Sequence, residues 1–253
     1  SVSATTSASL TVSFTSSTTG VCTVSGTTVT ILSAGTCTLN ADQSGNTTYL
    51  AATQVQQSFD VTQTSQNSLS VSANTTSAAY TGSAYTAVPS FTTTGGSGNG
   101  AVTYSVVTGG SASTCALSSS AATATLTATS VGTCLIAATK ASDTNYLSAT
   151  TATPLTFTFT ASAQTITFTG PTSKTYGDLA FTVSPTASSS LTVALASTTS
   201  SVCTVSSFTV TIVAPGTCTL TADQSGNSSF SAATQVSRSF TVAQAAQATL
   251  TIS

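Results

Sequence analysis

The sequence predicts an all-β protein made of tandem immunoglobulin-like β-sandwich domains. Two observations support this prediction across the 253 residues: apolar residues alternate with Ser and Thr in short stretches, and turns rich in Gly, Ser, Asn and Asp separate these stretches. Alternation with a period of two is typical of strands that bury one face, and β-branched Thr suits the other, exposed face. A third observation is that the whole pattern recurs along the chain, with no stretch that predicts a helix longer than one turn.

The recurrence is plainest in two twelve-residue segments, GTCTLNADQSGN at 35–46 and GTCTLTADQSGN at 216–227. The similarity extends without a gap over residues 2–61 and 183–242, and a looser copy occupies the middle of the chain. Internal repeats of this length indicate a modular protein. We therefore predict three domains and one additional strand, at residues 1–64, 65–162, 163–246 and 247–253.

The last repeat shows the predicted strands most completely. Turn residues divide it into about seven short strands, the number and spacing expected for an immunoglobulin-like sandwich. These strands are predicted at 164–169, 179–184, 190–196, 202–206, 208–213, 216–222 and 236–243. The apolar side chains predicted to face the core are Ile166, Phe168, Phe181, Val183, Leu191, Val193, Val210, Ile212, Leu220, Phe230, Phe240 and Val242.

The charge content is very low and argues against two classes of partner. Three Lys and Arg and five Asp give a net charge of −2. Binding to nucleic acid or to an anionic membrane needs clustered basic residues, which this chain lacks. No apolar run reaches the length of a membrane-spanning helix. We therefore expect no nucleic-acid partner and no membrane insertion.

The six cysteines form three pairs along the chain, and the chain has no His. The pairs are Cys22 with Cys37, Cys115 with Cys134, and Cys203 with Cys218. Six cysteines permit fifteen pairings in principle, but the repeat favours pairing within each copy. A redox or zinc site would need a CxxC motif, a His or a basic neighbour, none of which is present. Structural disulfides are therefore predicted, and these indicate an oxidising compartment outside the cytosol.

No arrangement of residues predicts catalysis, and no cofactor is expected. The chain has no His or Glu, and none of its many Ser residues has a visible base. Asp42 and Asp223 lie in the matched ADQSGN turns, where an Asx-type turn with Gly45 or Gly226 in a left-handed conformation is favoured over a calcium site. Candidate N-glycosylation sequons begin at Asn46, Asn74 and Asn227.

The repeats resemble the bacterial Ig-like tandem repeats of large secreted surface proteins and adhesins. The resemblance rests on Lys174-Thr-Tyr-Gly-Asp178, on Gly216-Thr-Cys218, and on Gly226-Asn227 followed by an aromatic residue and Ala-Ala-Thr. These segments are similar to the class with a Tyr-Gly-Asp motif near its first strands. The middle repeat departs from it, with Ala84-Tyr85-Thr86-Ala87 in place of Tyr-Gly-Asp and a glycine-rich insertion at 95–100. The resemblance implies a spacer-like structural role at the bacterial cell surface.

One opening strand is missing from the first repeat and one is in excess at the end of the chain. Ser68–Val71 and Thr165–Phe168 open the second and third repeats, and Gln244 and Gln247 precede a further copy as Gln63 and Gln66 precede Ser68. This further copy consists of Thr249, Leu250, Thr251 and Ile252. Adding a strand to an open sheet is a known assembly mode, and a head-to-tail contact of this kind gives a linear filament.

Three interpretations remain open at this point. In the first, the chain is the subunit of an extracellular filament whose copies join end to end by donating residues 249–252. In the second, it is part of a longer adhesin and serves as a spacer stalk. In the third, it is a carbohydrate-binding module, for which Tyr80, Tyr85 and Tyr104 are the candidate sugar-contacting residues. Glycans on the sequons are a further candidate partner in each case.

Overall fold

The computed structural model describes residues 1–81, 84–247 and 249, and in this part of the chain the fold is all-β, as predicted. It consists of short strands arranged in several small sheets, with the tandem immunoglobulin-like organisation expected from the repeats. The described residues include no helix long and apolar enough to cross a membrane.

The first repeat contributes five strands in two sheets. Its main sheet has the order β1-β4-β5, and a β2-β3 hairpin lies opposite. The bounds are β1 (Ser13–Ser16), β2 (Cys22–Ser25), β3 (Thr28–Ile31), β4 (Gly35–Asp42) and β5 (Val55–Val61). Strand β5 is an edge strand, since β4 is its one partner among the described residues.

The second repeat contributes ten strands. Its main sheet has the order β10-β13-β15-β7, with β14 also on β13, and the remaining strands form the sheets β11-β12-β8 and β6-β9. The bounds are β6 (Leu69–Ala73), β7 (Ser77–Ala79), β8 (Tyr85–Ala87), β9 (Phe91–Gly95), β10 (Val102–Val107), β11 (Ala116–Leu117), β12 (Leu126–Ala128), β13 (Gly132–Lys140), β14 (Ala149–Thr150) and β15 (Leu155–Thr160).

The third repeat contributes nine strands in two facing sheets and one short pair. The sheets have the orders β17-β24-β23-β20 and β18-β22-β21, and β16 pairs with β19. The bounds are β16 (Ile166–Thr167), β17 (Ser173–Thr175), β18 (Phe181–Thr182), β19 (Thr186–Ala187), β20 (Ala194–Ser197), β21 (Cys203–Ser206), β22 (Thr209–Ile212), β23 (Gly216–Asp223) and β24 (Val236–Ala243).

Two strands of the third repeat were not predicted, and a third begins later than expected. Strand β17 overlaps the start of the Lys-Thr-Tyr-Gly-Asp segment and pairs parallel with β24, with Lys174 opposite Val242. Strand β19 is two residues long. Neither is long enough to show an alternating pattern, so periodicity does not reveal them. Strand β20 begins at Ala194 rather than near 190, and Ser190 instead lies in a turn with a left-handed backbone conformation.

Each repeat contains one disulfide, and its two cysteines come from opposite sides of the core. The structure pairs Cys22 with Cys37, Cys115 with Cys134, and Cys203 with Cys218. In the third repeat, β21 and β23 belong to different sheets, and the bond between their cysteines ties the sheets together. The first repeat has the same arrangement between β2 and β4. All six cysteines are paired.

The buried side chains form three clusters, one in each repeat, and these clusters differ greatly in size. The cluster of the third repeat contains eleven buried residues and that of the second contains ten, whereas that of the first contains Cys22, Cys37 and Leu39. All of the residues predicted to face the core of the third repeat are buried or partly buried. Several of their counterparts in the first repeat are exposed, namely Ile31, Tyr49 and Phe59. The first repeat therefore has the weakest core.

The small core predicts that the first repeat depends most on its disulfide. A disulfide closing about 15 residues contributes about 3 kcal/mol to stability. Replacing Cys22 and Cys37 by Ala should therefore unfold the first repeat, because little apolar burial remains to offset that loss. The same change at Cys203 and Cys218 should lower the melting temperature of the third repeat but leave it folded.

Amide hydrogen exchange, read separately for each repeat, measures this difference. Protection of the β4 amides should disappear in the first variant, while protection of the β23 amides should persist in the second. Equal loss of protection in both variants would contradict the prediction.

Candidate functional site: the repeat junctions and an open groove

The three tyrosines that the sequence offers as sugar-contacting residues are buried or partly buried in the protein. Tyr85 and Tyr104 are buried, with exposed fractions of 4% and 6%, and Tyr80 packs edge-to-face against Phe230 with ring centroids 5.5 Å apart. A carbohydrate platform needs exposed aromatic faces, so these tyrosines do not form one. Among residues 1–81, 84–247 and 249, no group of three or more His, Cys, Asp or Glu side chains could hold a metal ion.

The ADQSGN turns are Asx-type turns, but Asn rather than Asp closes them. The Asn46 Oδ1 atom accepts hydrogen bonds from the Thr48 and Tyr49 N–H groups at 2.8 and 2.9 Å. Asn227 does the same for Ser229 and Phe230. The expected left-handed glycines are present, since Gly45 and Gly226 both have φ 76°. A Cβ on either would lie within 2.5 Å of a backbone carbonyl oxygen, so the turn requires glycine.

The aspartates of these turns have a different role. Asp42 accepts a hydrogen bond from the Gln54 amide at 2.8 Å, and Asp223 accepts one from Gln235 at the same distance. Both therefore tie the turn to the segment leading into the last strand. Asn46, Asn74 and Asn227 are all exposed, and their glycosylation stays a prediction.

The loops that contain these Asx-type turns, here called the Asx loops, hold consecutive repeats together. Thr64, in the linker after the first repeat, donates its N–H to the Asn145 carbonyl and accepts from the Leu147 N–H, at 3.0 and 2.9 Å. These contacts place Thr64 beside Tyr146 in a parallel bridge. At the next junction Ser162 occupies the same place beside Phe230. Both junctions thus use the residues on either side of the loop aromatic.

At the second junction, the same two backbone contacts link Ser162 to the loop of the third repeat. The Ser162 N–H donates to the Ser229 carbonyl at 2.9 Å, and the Ser162 carbonyl accepts from the Ser231 N–H at 2.8 Å. Tyr85 adds a hydrogen bond from its hydroxyl to the Ser228 carbonyl. The second junction therefore joins the repeats through a backbone bridge and a side-chain contact.

Glutamine side chains complete each junction. The Gln66 amide donates to the Leu147 carbonyl at 2.9 Å, and the Gln164 amide donates to the Ser231 carbonyl at 2.7 Å. These two carbonyls are equivalent, since each follows the loop aromatic. Gln63 also donates to the Asp143 carbonyl. The junction glutamines were missed as functional residues, although the matching Gln pairs before Ser68 and Thr249 are visible in the sequence.

Asp143 closes the loop of the second repeat, where the other two repeats have Asn. Its Oδ1 atom accepts from the Asn145 and Tyr146 N–H groups, both at 2.9 Å, and its Oδ2 atom accepts from the Asn99 N–H at 2.7 Å. A carboxylate supplies this second acceptor, which an amide lacks. The glycine-rich insertion at 95–100 is held to the loop in this way. The backbone N–H of Asn99 chiefly, with those of Asn145 and Tyr146 and the charge of Lys140, lowers the pKa of Asp143.

The first repeat carries an open groove where the third repeat is filled. The groove has a volume of about 350 Å³ and is lined by apolar and small side chains that include Val2, Phe14, Leu39, Ala41 and Val55. In the third repeat, Ile166 and Phe168 are buried against Leu220 and Ala222, the counterparts of Leu39 and Ala41. The groove therefore corresponds to the position of β16.

One phenylalanine of the first repeat is far more exposed than its counterparts in the other two repeats. The second cysteine of each repeat lies opposite a Phe on the last strand: Phe59, Phe157 or Phe240. Phe157 and Phe240 are 0% and 4% exposed, but Phe59 is 44% exposed. In the third repeat, Phe181 packs on Phe240 and β17 pairs with β24. The first repeat has no counterpart of either segment.

The predicted donor strand lies mostly outside the described residues. Leu250, Thr251 and Ile252 are not described, and Thr249 is described and exposed. The linker before it, residues 244–247, is also exposed.

Comparison with known proteins gives remote structural neighbours. The protocadherin GammaB4 extracellular domain matches 92% of this chain over 43% of its own length, with 16% identity and a TM-score of 0.32. Mouse cadherin-23 EC22-24 matches 92% over 86%, with 16% identity and a TM-score of 0.34. The S-layer protein rSbsC(31-844) matches 92% over 35%, with 17% identity and a TM-score of 0.30. These values are too low to transfer a function. No family model and no curated protein matches the chain.

The Asp143 contacts predict that the second repeat responds to acid. The lowered pKa means that Asp143 stabilises the folded state at pH above its ordinary value of 3.8, and that this contribution is lost as the pH falls through the lowered value. Protonation makes Asp143 a weaker acceptor, so it should weaken the contact with the Asn99 N–H, which is the largest cause of the lowered pKa. The exchange protection of this amide should therefore fall in acid.

The Asp143→Asn variant is the matched control for this experiment. It keeps one carbonyl oxygen for the turn but loses the acceptor for Asn99, so Asn99 should be unprotected at every pH. The Phe230 amide, held by the non-titrating Asn227, reports the intrinsic pH effect. The prediction is wrong if Asn99 and Phe230 lose protection in parallel.

Proposed function

We propose that this protein is a non-enzymatic structural subunit of an extracellular bacterial filament. In this proposal, copies join head to tail, and residues 249–252 of one copy enter the open groove of the first repeat of the next. The repeats at 1–64, 65–162 and 163–246 act as rigid domains along the filament axis. The observation that carries the proposal is the groove itself, which lies where β16 fills the third repeat.

The register of the donated strand follows from the third repeat. There, Ile166 pairs with Ala187 and Thr167 with Thr186. Equivalent positions in the first repeat are Thr6 and Thr5, so Leu250 should lie opposite Thr6 and Thr251 opposite Thr5. Leu250 and Ile252 then point into the groove, as Ile166 and Phe168 point into their core.

Apolar burial and backbone hydrogen bonds both favour this contact. Burying Leu250 and Ile252 contributes about 1.5–3 kcal/mol each. Several ladder hydrogen bonds add about 1 kcal/mol each. Ordering the donor segment and the loss of translational freedom oppose these terms, so a preformed groove favours the contact. The three disulfides are compatible with an extracellular location, where such bonds persist.

Charge substitution tests strand donation without shortening the chain. Replacing Leu250 and Ile252 by Asp should abolish polymers, because the lost burial alone, about 3–6 kcal/mol, weakens association by two to four orders of magnitude. Replacing Thr249 and Thr251 by Asp adds the same charge to the opposite face and should leave polymers intact. Light scattering after size exclusion, with negative-stain electron microscopy, measures the outcome. Polymers that survive the first substitution, or that vanish equally with both, would contradict the proposal.

A second function, a spacer stalk within a longer adhesin, is favoured by one specific observation. Residues 247–253 match the β16 segment but include no counterpart of β17 or Phe181. A donated strand therefore fills the groove and leaves the outer edge of β5 unpaired, whereas a complete preceding segment of the same chain would cover both.

One engineered chain separates the two functions. Residues 163–181 are placed directly before Ser1, which restores to the first repeat the segment that precedes Thr182 in the third. In the filament proposal, the wild-type protein polymerises and this chain is monomeric because its groove is filled in cis. In the stalk alternative, both proteins are monomeric, and the added segment only protects the β5 amides from exchange.

A further inference from the structure

The Asx loop of the first repeat has the geometry of a junction loop, yet no repeat precedes it among the described residues. Its turn matches that of the third repeat: Asn46 accepts the same two N–H groups as Asn227, and Gln43 accepts from Gly45 as Gln224 accepts from Gly226. The loop is therefore already in the conformation that binds a linker elsewhere in the molecule.

The groups that bind a linker are open in this loop. At the two internal junctions, a linker residue bonds the carbonyl before the loop aromatic and the N–H after it. The equivalent groups in the first repeat are the Thr48 carbonyl and the Leu50 N–H, and no described residue bonds to either. Tyr49 and Leu50 are 53% and 94% exposed.

The segment that follows the third repeat carries the matching chemistry. Gln244 and Gln247 are spaced like Gln63 and Gln66, and Ala245 stands where Thr64 stands. Residues 244–247 are exposed and continue directly from β24, as the linker at Gln63 and Thr64 follows β5. The segment therefore has the sequence of a linker and is not docked on a loop among the described residues.

The positions equivalent to Ala34 and Asn145, which are hydrogen-bonded at the first junction, are compatible with a contact between the third repeat and the first. At the first junction, the Ala34 N–H donates to the Asn145 side chain at 2.8 Å. The position of Ala34 is taken in the third repeat by Pro215, which has no N–H to donate. The position of Asn145 is taken in the first repeat by Thr48. The third repeat thus lacks the donor and the first repeat lacks the amide acceptor. A contact between these two surfaces would therefore leave neither group of this hydrogen bond without its partner.

We propose that the loop at 43–50 is a docking site for residues 244–247 of a second copy of this chain. Ala245 of that copy bonds the Thr48 carbonyl and the Leu50 N–H through its backbone, and the Gln247 amide donates to the Leu50 carbonyl. This inference rests on the proposed function and adds to it. The contact sets the orientation of successive subunits, whereas the donated strand supplies most of the apolar burial.

Directed disulfide formation between two variants tests the docking site. One protein carries Tyr49→Cys and the other carries Ala245→Cys, because the equivalent pairs at the internal junctions are bridge partners. Bridge partners lie close enough for a disulfide. Under mild oxidation, the mixture should give covalent dimers that neither variant gives alone, read on non-reducing gels. Since all native cysteines are paired, each variant has one free thiol.

An internal pair supplies the matched control, and polymer formation separates this inference from the proposed function. The single chain with Ser162→Cys and Phe230→Cys has the bridge geometry already and should form its disulfide within one molecule. If that control forms and the mixture polymerises without the cross-link, the docking site is wrong while strand donation stands. If the mixture does not polymerise, the filament function fails and the docking site with it. Equal cross-linking by either variant alone also overturns the docking site.

Discussion

The structure depends on how the last strand of each repeat is covered. Strands β5, β15 and β24 each carry a Phe opposite the second cysteine, and each needs a segment from the start of a repeat to shield that Phe and to pair with the strand's outer edge. In the second and third repeats, β7 and β17 pair parallel with β15 and β24. The core is therefore closed by chain that is distant in sequence, and a repeat that lacks it keeps its sheets but not its core.

This constraint explains why the first repeat differs from the third despite the similarity of their sequences. Leu39, Ala41 and Phe59 have counterparts of the same residue type in Leu220, Ala222 and Phe240, and yet each is more exposed. Residue type does not cause the difference. In the third repeat, the counterparts share a core with Ile166, Phe168 and Phe181, and residues 1–64 contain no equivalents of these three. The disulfide then bears an unusually large share of the stability of the first repeat.

Sequence alone predicts the parts of the fold that rest on local patterns. The alternating strands from β21 to β24 lie close to their predicted bounds, and the cysteines pair within repeats, as the placement of one pair in each copy indicates. Strand β17 was missed because three residues show no period, and its parallel partner is far away in sequence. The role of Asp143 was also missed: its third acceptor contact, with Asn99, depends on the glycine-rich insertion folding back, which no local pattern reveals. For the tyrosines, the sequence suggested a binding role that the structure does not support. Tyr85 and Tyr104 are buried by contacts between distant segments, which no local pattern reveals.

The parallel pairing of β17 with β24 has a mechanical consequence. The two strands lie near opposite ends of the third repeat and point the same way, so tension applied to the chain pulls them along their length in opposite directions. All the hydrogen bonds between them then bear load together, instead of breaking one at a time as in a peeled hairpin. Behind them, the bond between Cys203 and Cys218 keeps the intervening residues from extending even after the sheets part. The disulfide therefore shortens the length by which the third repeat can extend under tension.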